Sequence, residues 1–161
     1  LPNFFQIFPK ELVVFFLSML PFTELRASIP LAIAAYGLSP IASFCWAVLG
    51  NFVPVILLVF LLEPISRFLS SHFESLARFF DWLFRRTRRQ HSRKFELLEE
   101  FALIIFVAIP LPMTGGWSGS VAAFVFGIPP QKSLPLIAIG LLISGVLVTF
   151  STLGVISLFS F

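Results

Sequence analysis

The chain has 161 residues, of which 58 % are hydrophobic and only 12 % charged, with a formal net charge of +3 and a mean hydropathy of +0.99. Soluble domains carry about 25 % charged residues, so this composition excludes a soluble globular protein and describes an integral membrane protein. A single cysteine, Cys45, excludes a disulfide framework and a cysteine-based metal cluster.

The N-terminal residues carry neither a basic n-region nor a small-residue cleavage site, and do not read as a signal peptide. Residues 12–36 form an apolar stretch broken by Pro21, Glu24, Arg26 and Pro30. Residues 41–62, IASFCWAVLGNFVPVILLVFLL, carry no charge, and predict a membrane-spanning helix of about 33 Å. Pro64 then opens an amphipathic helix, with Ile65, Phe68, Leu69, Phe73, Leu76, Phe80, Leu83 and Phe84 recurring at helical spacing against Arg67, Ser71, Glu74, Arg78, Asp81 and Arg85. It runs into RRTRRQHSRK at 85–94, where Arg85, Arg86, Arg88, Arg89, Arg93 and Lys94 form a basic tract suited to the membrane surface. By the positive-inside rule this tract is cytoplasmic. The same pattern also fits a connector helix docked on its own protein. His72 and His91 read as surface residues.

Residues 101–127 are a second broken apolar stretch, interrupted by PLPMTGGWSGS with Pro110, Pro112, Gly115, Gly116 and Gly119. Residues 133–161 are uncharged and predict a second span, with Pro135 at its first helical position. Each broken stretch is too short for two crossings of about 20 residues apiece. Each is either one interrupted helix or a re-entrant hairpin. Irregular backbone at membrane depth persists only inside protein or along a wet cavity, because lipid cannot hydrogen-bond the freed groups.

The halves also resemble one another. A shift of 90 residues lays GLSP (37–40) on GIPP (127–130), Ser43 on Ser133, Gly50 on Gly140 and Phe60 on Phe150, and superposes the two broken stretches. If those stretches are re-entrant, each half crosses the membrane once and the second half is inverted. Interrupted helices in corresponding positions of two halves point to a transport site near the midplane.

Glu24 and Arg26 stand out energetically, since a charged side chain at a helix centre costs about 2.5 to 3.5 kcal/mol on translocon scales. Two residues apart on a helix, they need not pair with each other. A carboxylate withdrawn from water takes up a proton more readily, which makes Glu24 a candidate proton carrier. Arg26 can hold an anionic group or act as the fixed counter-charge of Glu24. The structural alternative is an ion pair that closes a hairpin tip, or a tip wet at the interface. In the second broken stretch the polar groups are neutral: Thr114, Ser118, Ser120, the Trp117 indole, and the backbone amides around Gly115, Gly116 and Gly119. Such an array suits an anion, and a Gly-rich run equally suits close backbone packing. With no metal-ligand cluster and no nucleophile beside a base, neither an enzyme nor a cofactor site is expected.

ELRASIP together with PLPMTGGWSGS resembles the small multidrug export family, whose members carry a Glu-x-Arg segment leading to Ile-Pro and a Pro-x-Pro-x-Thr-Gly-x-Trp-x-Gly signature. The resemblance covers about residues 10–160. It implies functional positions at Glu24, Arg26 and Pro30, then at Pro110, Pro112, Thr114, Gly115, Trp117 and Gly119. That family in turn is similar to the DedA membrane proteins, which implies two re-entrant helices in inverted repeats and links to proton-dependent transport or movement of polyprenyl-phosphate or phospholipid.

The expected fold is therefore a single all-α membrane domain over residues 1–161. It comprises a first repeat (11–62), an amphipathic basic cytoplasmic segment (63–100) and a second repeat (101–161), each repeat a re-entrant hairpin plus a transmembrane helix. Re-entrant hairpins put both termini outside; broken single spans put both inside. The expected function is proton-coupled export of an amphiphilic or lipid-like molecule from a multi-pass inner-membrane protein, with binding contacts from Glu24, Arg26, Thr114, Gly115, Gly116, Trp117 and Ser118, and Pro21, Pro30, Pro110, Pro112 and Gly119 breaking the helices. A DedA-like flippase and a non-transporting scaffold are the alternatives. Expected partners are membrane lipids, the substrate and protons, with no nucleic acid; self-association is left open.

Overall fold

A computed structural model of the chain describes residues 9–87, 93–111 and 114–159, with the backbone alone at 86, 87 and 93–95. The described residues form seven helices and no strand. The first broken stretch becomes α1 (Lys10–Met19) and α2 (Glu24–Ala34). At ten and eleven residues, each reaches only about 15 to 17 Å, roughly half of a hydrocarbon core. Leu20 is extended and precedes Pro21, so the chain turns there. The two arms fold back on each other: the Thr23 hydroxyl donates to the Leu17 carbonyl at the tip, and Lys10 Nζ donates to the Tyr36 carbonyl at 2.8 Å at the open end. This stretch is a hairpin rather than one interrupted rod.

The second broken stretch repeats the arrangement. α5 (Arg93–Ala108) and α6 (Gly116–Phe126) pack with Val107 against Gly119 near the tip, and with Leu98 and Phe126 along one groove toward the open end. Lys132 Nζ reaches Glu100 Oε1 at 3.0 Å beside that open end.

Two long helices follow the hairpins, α3 (Pro40–His72) and α7 (Pro130–Phe159), the described helices long and apolar enough to cross a membrane. α3 is started by Ser39, whose hydroxyl accepts the Ala42 N–H at 3.3 Å, and by Pro40 in its first turn. The expected new helix at Pro64 is not there: α3 continues through Pro54 and Pro64 to His72, and the amphipathic pattern resumes after Phe73 as α4 (Glu74–Thr87). The turn that follows Pro64 carries local polar contacts, with Ser66 Oγ donating to the Glu63 carbonyl at 2.8 Å and Arg67 pairing with Glu63 at 2.6 Å. Likewise α7 starts at Pro130, not at Pro135, and runs through Pro135 at the loss of its bond to the Gln131 carbonyl.

α3 and α7 run antiparallel, since Gly145 abuts Phe44 and Val48 while Glu63 and Pro130 line one small cavity. Their buried faces share a register. Ser43, Ala47, Gly50, Asn51, Pro54 and Val55 are buried on α3, and Ser133, Ile137, Gly140, Leu141, Ser144 and Gly145, each 90 positions later, on α7. The glycines do equivalent work: a Cβ on Gly50 would collide with the Phe15 backbone, and one on Gly140 with Val107 and the Ile104 carbonyl. The first arm of each hairpin thus lies directly on its own long helix. Outward faces are apolar, with Phe60 and Phe150 among many exposed large side chains, as a surface meant for lipid requires.

α4 docks on α6 through Phe80 and Phe84, whose rings lie 6.5 and 5.4 Å from that of Phe124. Its Phe79 and Trp82 are exposed, so the connector is both docked and aromatic on its outer side. Arg85 is exposed and donates from Nε to the Asp81 carbonyl at 3.1 Å. Arg88 and Arg89 lie outside the described residues, as do the side chains of Arg86, Arg93 and Lys94.

Because the Gly50 contact is with backbone, Gly50→Ala must push α1 and α3 apart. The expected loss is about 1 to 3 kcal/mol, read as a lower melting temperature in detergent. Gly154→Ala, within α7 at a position facing open space, should not lower the melting temperature and should raise it slightly, since alanine favours a helix over glycine by about 0.5 to 1 kcal/mol.

Candidate functional site

The tips of the two hairpins meet, and both charged groups of the first tip, Glu24 and Arg26, contact the second. Glu24 is the first residue of α2 and has φ +43°, a left-handed conformation that costs a non-glycine residue about 1 to 2 kcal/mol. This start places its carboxylate, on a residue only 7 % exposed, over Gly115 at the N-terminus of α6. Gly115 has no side chain to obstruct it; a Cβ there would overlap Glu24 Oε2. The Trp117 N–H points at Glu24 Oε1 across 3.4 Å, and the positive end of the α6 dipole adds to the attraction.

Arg26 Nη2 donates to Thr114 Oγ1 at 2.9 Å and lies 3.9 Å from Glu24 Oε2. Helical spacing alone does not bring positions 24 and 26 together, but the left-handed start at Glu24 departs from that spacing. Thr114 Oγ1 lies 2.6 Å from the Ile109 carbonyl and 2.8 Å from that of Leu111, and accepts the Leu111 N–H at 3.2 Å. It therefore closes the irregular turn between α5 and α6 while presenting a lone pair to Arg26. The Trp117 indole donates to the Met19 carbonyl at 3.0 Å, which satisfies an acceptor at the end of α1.

A cleft of about 530 Å³ opens beside these groups, walled by Pro21, Phe22, Pro110 and Trp117 and carrying Thr23, Glu24, Arg26 and Ser118. It joins apolar walls to a charged floor. Of the residues singled out from sequence, Glu24, Arg26, Thr114, Gly115, Gly116 and Trp117 converge here, and Ser118, Pro21 and Pro110 line the cleft. Pro30 lies further along α2, and Gly119 packs on Val107. Pro112 lies outside the described residues. Among the described residues no group of three metal-ligating side chains occurs.

One residue absent from the sequence-based set belongs to this region. Asn51 of α3 is fully buried, its Oδ1 sits against Gly116, and neither polar atom of its amide has a hydrogen-bond partner among the described residues. The signal was present: a lone amide at the centre of the uncharged run 41–62. Its position also sets the level of the site, because the N-terminus of α6 meets α3 halfway along that run.

Two long helices with uncharged central runs, packed with two broken apolar hairpins, define a helical membrane protein. The chain belongs to the family described as "Putative small multi-drug export protein", whose pattern matches residues 24–147 and so begins at Glu24 itself. Neither the curated proteins nor the solved structures include a match to the chain.

Since the Thr114 hydroxyl serves both the turn and Arg26, Thr114→Val should destabilise the protein by about 1 to 3 kcal/mol, while Thr114→Ser should not. Melting temperatures of the two purified variants check this.

Proposed function

We propose that this protein is a multi-pass inner-membrane transporter of two inverted halves, which couples the movement of an amphiphilic molecule to that of protons, with Glu24 as proton carrier. The carrying observation is the Glu24 carboxylate seated on the N-terminus of α6 beside Arg26, at the floor of a cleft. Arg26, the freed amides and the helix end form a positive site. The ionised carboxylate fills it. Once Glu24 takes a proton its hold on that site weakens, and the site becomes available to an anionic headgroup. Proton and anionic substrate are coupled because one carboxylate competes with the other anion for the same donors. The apolar walls at Pro21, Phe22 and Pro110 suit the remainder of an amphiphile.

Several observations support the inverted, re-entrant reading. Each half reads hairpin then long helix, the long helices are antiparallel, and their buried registers differ by 90 residues. The hairpin tips reach the level of Asn51, midway along the uncharged run, without arms long enough to cross. On this reading both termini face outward and the tract at 85–94 meets anionic lipid of the cytoplasmic leaflet. The protein acts without a cofactor and changes no covalent bond of its substrate. The same positive cluster also favours a second reading, a DedA-like flippase for polyprenyl-phosphate or phospholipid; lipid phosphate retained through purification would select it. A scaffold would tolerate neutral residues at 24 and 26.

Two experiments test these proposals. In a Cys45→Ala background, cysteines at Lys10 and Ser157 should label from outside and one at Ser71 from inside; labelling of Lys10 and Ser71 from the same side refutes the re-entrant topology. In proteoliposomes with an imposed pH gradient, decanesulfonate remains an anion and carries no proton of its own. Its flux should be lost in Glu24→Gln, a variant that still inserts and binds it. Arg26→Lys should also fall well below wild type, because lysine lacks the planar fork of donors. Normal proton-driven flux in Glu24→Gln would end the carrier assignment.

A further inference from the structure

Two cavities open at opposite ends of α6, and a buried polar seam lies between them. The cleft at its N-terminus holds Glu24; the smaller one, about 180 Å³, is lined by Glu63, Ser120 and Ser133 near its C-terminus. Along the helix their linings come within one turn, from Trp117 of the cleft to Ser120 of the smaller cavity, or roughly 4.5 Å of rise. That turn packs on α3, where Gly116 touches Asn51 and Val55. The next residues at the same spacing, Val59 and Glu63, line the smaller cavity. Ser120 Oγ donates to the Gly116 carbonyl at 2.7 Å, leaving its oxygen lone pairs to accept. In the second half Leu141 takes the place of Asn51. A buried amide with no partner costs stability that an apolar residue would spare, and this one stands at the barrier between two cavities that each contain a carboxylate.

We propose that the α3–α6 seam is the route by which a proton passes between Glu24 and the cavity beside Glu63, with Asn51 and Ser120 holding the water that relays it. The idea rests on the carrier role of Glu24 given above. In the relay step the O–H bond of protonated Glu24 breaks, leaving the carboxylate. The proton joins a water held by Asn51 Oδ1, and an equivalent proton leaves through the next water past Ser120 to the Glu63 cavity. Asn51 itself neither gains nor loses a proton. It is a positioning residue, and Glu63, half-exposed and paired with Arg67 at 2.6 Å, marks the exit. Opening the seam requires only a small displacement of α6, whose contact with Asn51 is through a glycine.

The test measures proton flux, decanesulfonate binding and melting temperature on the same proteoliposome or detergent preparations of wild type, Glu24→Gln, Asn51→Leu and Asn51→Ser. Asn51→Leu should melt at or above the wild-type temperature, since an orphaned amide is removed, and should still bind decanesulfonate. Its proton flux should fall by roughly tenfold or more, the rate equivalent of one lost relay contact. Asn51→Ser, which keeps a group able to hold water, should recover part of that flux. A merely structural Asn51 predicts the opposite pairing, a lower melting temperature with flux intact. Wild-type flux in Asn51→Leu alongside lost flux in Glu24→Gln overturns the seam and leaves the carrier standing. Normal flux in Glu24→Gln overturns the carrier reading instead. Should Asn51→Leu fail to insert, Ser120→Ala decides: reduced flux supports the route, and wild-type flux overturns it.

Discussion

Lipid offers no hydrogen bonds, and the arrangement at the two hairpin tips follows from that constraint. Each broken stretch frees backbone groups and, in the first, brings two full charges with it. Neither hairpin satisfies every polar group of its own tip. The amides at the start of α6 need an acceptor, which Glu24 supplies; the carbonyl of Met19 at the end of α1 needs a donor, which the Trp117 indole supplies. Arg26 is held by Thr114 across the same junction. The left-handed start of α2 at Glu24 is unfavourable locally and persists because those contacts over-determine it.

That meeting is possible only because the hairpins come close to the long helices. Gly50 and Gly140 let Phe15 and the Ile104–Val107 turn lie on α3 and α7, and the Ser18 hydroxyl ties α1 to the Ala47 carbonyl at 2.6 Å. With larger residues at these positions the arms would stand off, and the tips would part. At the other end of α6, Phe124 receives Phe80 and Phe84 of α4. α6 therefore links the charged junction at its N-terminus to the connector at its C-terminus, and a shift of either end is felt at the other through a rigid rod of eleven residues.

Much of this was legible in the residues. Two uncharged runs of adequate length in so apolar a chain read as spans, and Pro, Gly and charged residues clustered inside an apolar stretch mark where it turns. The 90-residue likeness rests on a few common residue types in the sequence, yet the buried faces of α3 and α7 follow it position by position. Boundaries were less legible. Pro64 and Pro135 look like starts, but a long helix packed on its neighbours runs through a proline at the loss of one backbone hydrogen bond, and sequence spacing carries no record of that packing.

By itself the sequence determined the solvent, the two spans, the broken stretches and the cost of Glu24 and Arg26, because these depend on transfer free energies and local geometry summed along the chain. It also contained the second motif, without saying what that motif touches. Only the tertiary structure decided that the broken stretches double back, that Glu24 sits on the α6 amides, and that Asn51 is sealed beside Gly116 without a partner. Positions 24, 51 and 116 lie far apart in the chain. What joins them is the requirement that polar groups be satisfied and glycine gaps be filled, and that requirement is met between helices rather than within any one of them.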